Sequence, residues 1–144
     1  MKPFYLLRIA AVITLLYFAG HTLGRPWTPY TTPDAVAVLD AMKTHAFQEQ
    51  GFKGTYWDLY YGFGLLGCAN LLVQAAVLWC LASIAKTDAA RLRPIIGILL
   101  IGFVVNAALS LKYFFIVPVV MSGVIALCLA MSLVLAGRST SERV

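Results

Sequence analysis

The chain has 144 residues, of which 61% are hydrophobic and only 12% charged, with a net charge of +5. A water-soluble domain carries about a quarter charged residues, so this composition cannot cover a globule with polar surface and excludes an ordinary soluble protein. The positive charges cluster at the ends of apolar runs, without a basic stripe or interleaved aromatics, which excludes a nucleic-acid partner and leaves membrane lipid as the solvent.

The length fits a single domain over 1–144. Lys2 and Arg8 flank the first apolar run, which reaches to Leu23. Residues 4–23 supply the roughly 20 positions a helical span requires. A cleaved leader is the rival reading. Cleavage after Ala19 would put bulky Tyr17 at the −3 position, where small residues are needed, so a retained first span is expected. Gly20, Gly24, Pro26 and Pro29 end it, with Trp27 and Tyr30 suited to the headgroup zone.

Thr32, Pro33 and Asp34 carry the cap, first-turn proline and first-turn acid of a helix start. From Pro33 to about Gln48, Val36, Leu39, Met42, Lys43 and Phe47 recur near helical spacing. This predicts a short amphipathic helix in the first extracytoplasmic loop. Gly51 and Gly54 then loosen the return into lipid. The second span covers 55–85, thinned at its start by Gly62, Gly64, Gly67 and Ala69 so that a neighbour can approach. A basic linker, Lys86–Arg93, leads to a third span at 94–111. A fourth follows at 114–136, with Pro118 either in its first turn or at a kink. The fold class expected is therefore all-α, a four-helix transmembrane bundle.

Lys2, Arg8, Lys86, Arg91, Arg93, Arg138 and Arg143 fall on one side of these spans, against Arg25, Lys43, Lys53 and Lys112 on the other. The positive-inside rule makes both termini cytoplasmic.

The cysteines, Cys68, Cys80 and Cys128, all lie in apolar runs and form no CxxC. This argues against a disulfide oxidoreductase and predicts buried apolar thiols. His21 and His45 have no cysteine or carboxylate at ligand spacing, so no metal and no cofactor is expected.

Polar groups in lipid are functional candidates when a partner can be named. His21, Asp58, Tyr61 and Lys112 are expected at one depth, at the outward ends of their spans, with Asn106 about 9 Å deeper. They form a candidate ligand-binding set in which a His21–Asp58 pair moves a proton and Tyr61 donates to a substrate oxygen. The competing structural reading has Asp58 capping or salt-bridging its helix. Tyr56, Trp57, Tyr60 and Tyr61 then form an aromatic belt, Lys112 snorkels, and His45 is a solvated loop residue. Asn70 and Gln74, one turn apart, serve as interhelical glue or as pore contacts.

The blocks Tyr56-Trp57-Asp58-Leu59-Tyr60-Tyr61-Gly62-Phe63-Gly64-Leu65 and Tyr113-Phe114-Phe115-Ile116-Val117-Pro118, with the Gly20-His21 helix end, resemble a family of small bacterial four-helix membrane proteins of uncharacterised type. The resemblance implies the architecture and a bacterial inner-membrane location, and carries no activity. A looser architectural likeness extends to DoxX-like and emopamil-binding proteins, but the acidic pair of an emopamil-type pocket has no counterpart: Glu49 lies in the loop and only Asp58 near a span start.

Three functions fit these residues. The first is a binding protein, or subunit of a membrane complex, that takes a lipid or other hydrophobic small molecule in an outward-facing polar pocket. The second is a small isomerase- or oxidoreductase-like membrane enzyme with His21 or Asp58 as base. The third is a transporter or channel, which would require a homo-oligomer because four helices seldom enclose a hydrophilic path.

Overall fold

The computed structural model describes residues 2–24 and 31–141, with side chains as far as 137. The expected helix break at 25–30, with Trp27 and Tyr30, lies outside the described residues, as do Arg143 and the side chain of Arg138. Five α-helices are present among the described residues: α1 (Pro3–Leu23), α2 (Pro33–Thr44), α3 (Tyr56–Asp88), α4 (Arg93–Tyr113) and α5 (Ile116–Ser141). Between α2 and α3 lie two short strands, β1 (Ala46–Glu49) and β2 (Phe52–Thr55). Helices α1, α3, α4 and α5 are long and apolar enough to cross a membrane. The chain is a multi-pass, all-α membrane protein.

The helix ends follow local chemistry. A 3₁₀ turn, Ala90–Leu92, joins α3 to α4. Asp88 holds it, accepting from the Arg91 backbone N–H at 3.3 Å and pairing with the Arg91 guanidinium at 3.4 Å. Pro118 is the third residue of α5. Its missing N–H is one of the donors a first turn leaves unpaired in any case, so it initiates the helix rather than kinking it.

The chain divides into two compact units, Ala19–Asn70 and the segments flanking it, the boundaries falling within α1 and α3. The flanking unit holds the packed core. Leu7, Ala10 and Ala11 of α1 meet Leu78, Leu81, Ala82 and Ala85 of α3, Ile96 and Phe103 of α4, and Ile125, Ala126 and Leu129 of α5. The many alanines let helix backbones approach closely, which is how helices gain van der Waals energy where lipid is as apolar as leucine. Two buried hydroxyls find backbone acceptors: Thr14 donates to the Ala10 carbonyl one turn back at 2.8 Å, and Ser132 of α5 donates across to the Pro3 carbonyl at the start of α1 at 3.4 Å. The opposite faces are apolar too. Ile98, Ile101 and Leu127 stand more than half exposed, as a lipid-facing surface requires.

The Ala19–Asn70 unit differs from expectation. Helix α2 ends at Thr44 rather than near Gln48. Its last turn is closed by the His45 backbone N–H and ring Nδ1–H, donating to the Ala41 carbonyl at 3.0 and 2.8 Å. His45 is thus a capping residue as well as an exposed one. The residues read as a loose return form an antiparallel hairpin pairing Phe47 with Gly54 and Glu49 with Phe52. Its two-residue turn has Gln50 at φ 50° and Gly51 at φ 85°. Positive φ at both central positions matches the right-handed twist of the strands. Helix α2 buries no residue, leaving Val36 and Val38 exposed.

Candidate functional site

The strand-to-helix junction positions Asp58. Thr55, the last residue of β2, is the N-cap of α3, and Asp58 is the third residue of the helix. One carboxylate oxygen, Oδ2, accepts the Thr55 backbone N–H at 2.7 Å and its hydroxyl at 2.8 Å. The Asp58 backbone N–H donates back to the Thr55 hydroxyl at 3.2 Å. This reciprocal arrangement is a capping box, so the structural alternative for Asp58 is realised. Threonine followed three positions on by an acid, ahead of an apolar run, is the sequence signal for it.

His21 bonds elsewhere. Its Nδ1 lies 3.2 Å from the Cys68 thiol, and the Thr22 hydroxyl donates to the same sulfur at 3.3 Å. Gly67 makes room: a Cβ there would stand 3.2 Å from His21 Cε1 and 3.3 Å from Nε2. Cys68 lies ten residues beyond Asp58 along α3, about 15 Å of rise. His21 and Asp58 therefore occupy different depths, and no His–Asp pair forms. The sequence points away from this site because Cys68 lies in an apolar run and reads as a buried thiol. The thiol is half-buried, and Cys80 is exposed on the surface of α3; only Cys128 is buried.

The remaining candidates have local surroundings. Tyr61 is half-buried with its ring 5.8 Å from that of Trp57, and Trp57 also carries Lys43 at 5.3 Å and Tyr60 at 5.6 Å. Trp57, Tyr60, Tyr61 and Lys43 thus cluster at this helix start. Asn106, in the other unit, accepts from the Ser110 hydroxyl at 3.3 Å within α4. Lys112 is exposed, 5.1 Å from the Tyr113 ring.

In the sequence Arg8 is only a flanking charge. Arg8, half-buried on α1, stacks on Trp79 of α3 with its guanidinium carbon 3.5 Å from the ring centroid. Its Nη2 donates to the Ser83 hydroxyl at 2.9 Å. Its Nη1 is buried and has no hydrogen-bond partner among the described residues. Beside it runs an open groove of about 330 Å³, lined by Arg8, Ile9, Val12, Ile13 and Trp79. Among the described residues no group of three or more His, Cys, Asp or Glu is arranged to hold a metal ion.

The fold and these sites define a four-helix integral membrane protein with a small hairpin-and-helix module between its first two spans. Compared with protein-family models, curated proteins and solved structures, the chain matches none.

Proposed function

We propose that this is a bacterial inner-membrane protein, with both termini cytoplasmic, that binds an anionic lipid or a similar hydrophobic acid in the groove between α1 and α3. The observation that carries the reading is the uncompensated charge of Arg8. A guanidinium stays ionised in proteins, and a charge in an apolar surround needs a counterion. Among the described residues the one salt bridge joins Arg91 to Asp88, so Arg8 has no carboxylate. Stacking on Trp79 offsets part of the deficit. The groove beside it offers an acyl chain the apolar flank of Ile9, Val12 and Ile13, and its volume is at the lower end of small-ligand sites. An amphiphile with its anion on Arg8 and its chain along α1 satisfies both features.

Lys2, Lys86, Arg91 and Arg93 lie at the same ends of their spans as Arg8, which supports a cytoplasmic placement by the positive-inside rule. The reading moves the ligand away from the loop end, because the groups expected to receive it there are already bonded to Thr55 and Cys68.

Native mass spectrometry of the protein extracted in gentle detergent tests this. A discrete anionic adduct is expected on the wild type and lost from both Arg8→Gln and Val12→Trp, the latter filling the groove. A wild type without any adduct, or an adduct retained undiminished by both variants, overturns the reading.

A further inference from the structure

We propose that Cys68 is a nucleophilic thiol, activated by His21, that accepts an acyl group from an ester or thioester carried in the membrane. Three observations within the Ala19–Asn70 unit converge on the sulfur. His21 Nδ1 stands 3.2 Å away, within reach to take the thiol proton. The Thr22 hydroxyl donates to the same sulfur at 3.3 Å, a bond that strengthens as the sulfur becomes anionic. Gly67 clears the space in which the imidazole lies, since any Cβ there would crowd the ring. A nucleophile and base within hydrogen-bond reach is the core of nucleophilic catalysis; the third contact here, from Thr22, falls on the sulfur and not on the base.

The surroundings select the electrophile. Cys68 is preceded along α3 by Leu65 and Leu66, both exposed on the surface of an apolar span. What reaches the sulfur comes through lipid; the abundant carbonyl electrophiles there are the acyl esters of the lipids themselves, and long-chain acyl thioesters insert beside them by their chains. In the step, Nδ1 takes the thiol proton and Sγ attacks the carbonyl carbon. A new S–C bond forms, the donor's C–O or C–S bond breaks, and the departing alkoxide or thiolate receives the proton from His21. No oxidant or reductant is required.

Full-length protein in detergent micelles provides the test. N-ethylmaleimide alkylation is followed at Cys68 and, as an internal reference on the same chain, at Cys80. In His21→Gln the Cys68/Cys80 rate ratio is expected to fall at least about tenfold, as loss of a general base does. Thr22→Val keeps the branched shape and removes only the hydroxyl; a several-fold fall is expected there. Incubation with decanoyl-coenzyme A, or with phosphatidylethanolamine vesicles, should add one acyl mass that neutral hydroxylamine removes and Cys68→Ser lacks. The donor that succeeds identifies the source. An unchanged rate ratio in both variants overturns the activation, and the absence of a hydroxylamine-labile mass with either donor overturns the acyl assignment.

Discussion

Asp58 Oδ2 accepts both the backbone N–H and the hydroxyl of Thr55, at 2.7 and 2.8 Å, and so joins the hairpin to the longest helix of the protein. The carboxylate is occupied in ending one element and starting the next. Thr55→Ala removes the cap and is expected to destabilise the protein by about 1 kcal/mol, whereas Thr55→Ser retains most of it. Asp58→Ala should act in the same direction and Asp58→Asn more weakly, since an amide oxygen still accepts. Thermal unfolding in detergent, followed by circular dichroism, measures all four. A neutral Thr55→Ala would show that the capping box contributes nothing to stability.

The hairpin turn gives a second test. Gly51 sits at φ 85° and Gln50 at φ 50°, a backbone that β-branched residues adopt only with strain. Gly51→Val is therefore expected to open the hairpin and hasten its cleavage in limited proteolysis. Gln50→Asn, which creates the Asn-Gly pair favoured in such turns, should slow cleavage. The opposite order would mean that the turn does not hold the module together.

These two features mark where the sequence was legible and where it was not. The four spans could be read because a run of about 20 apolar residues has few other fates, and the structure places them within a few residues of expectation. The hairpin was missed because its strands are four residues each and its turn is Gln-Gly rather than Asn-Gly; Phe47 alone was enough to extend the preceding helical pattern past Thr44. The sequence puts Asp58 at a helix start, with Thr55 only as the first residue of that span; the bonds between them make Thr55 its reciprocal partner. The contact between His21 and Cys68 joins residues 47 positions apart, and no local periodicity encodes it. The one local trace is Gly67, a small residue beside the thiol. Arg8 read as a flanking charge because the Trp79 ring that holds it lies on another helix.

The stack of Arg8 on Trp79 makes a measurable coupling. In a double-mutant cycle built from Arg8→Met and Trp79→Leu, the interaction energy is expected to be about 1 kcal/mol. Arg8→Lys should recover little of it, because an ammonium neither stacks nor reaches Ser83 with the same fork of donors. Unfolding of the wild type, the two single variants and the double variant in one detergent gives the cycle, and a coupling near zero would assign the 3.5 Å approach no energetic role.

The lipid face and the packed face of the bundle should respond differently to truncation to alanine. Ile101 of α4 is 65% exposed, while Leu129 of α5 is fully buried. Leu129→Ala leaves a cavity among helices and is expected to cost about 2–5 kcal/mol; Ile101→Ala trades one lipid contact for another and should cost little. An acid reverses the usual tolerance of an exposed site. In a soluble protein, aspartate at a position as open as Ile101 is accommodated by water. Near the middle of α4 it faces hydrocarbon, and Ile101→Asp is expected to weaken insertion by roughly 2.5–3.5 kcal/mol. The fraction of protein recovered in the membrane pellet after carbonate washing reads this directly. Full recovery of Ile101→Asp would place that face of α4 against water or another chain, and the exposed isoleucines along it would then mark an interface between proteins instead of one with lipid.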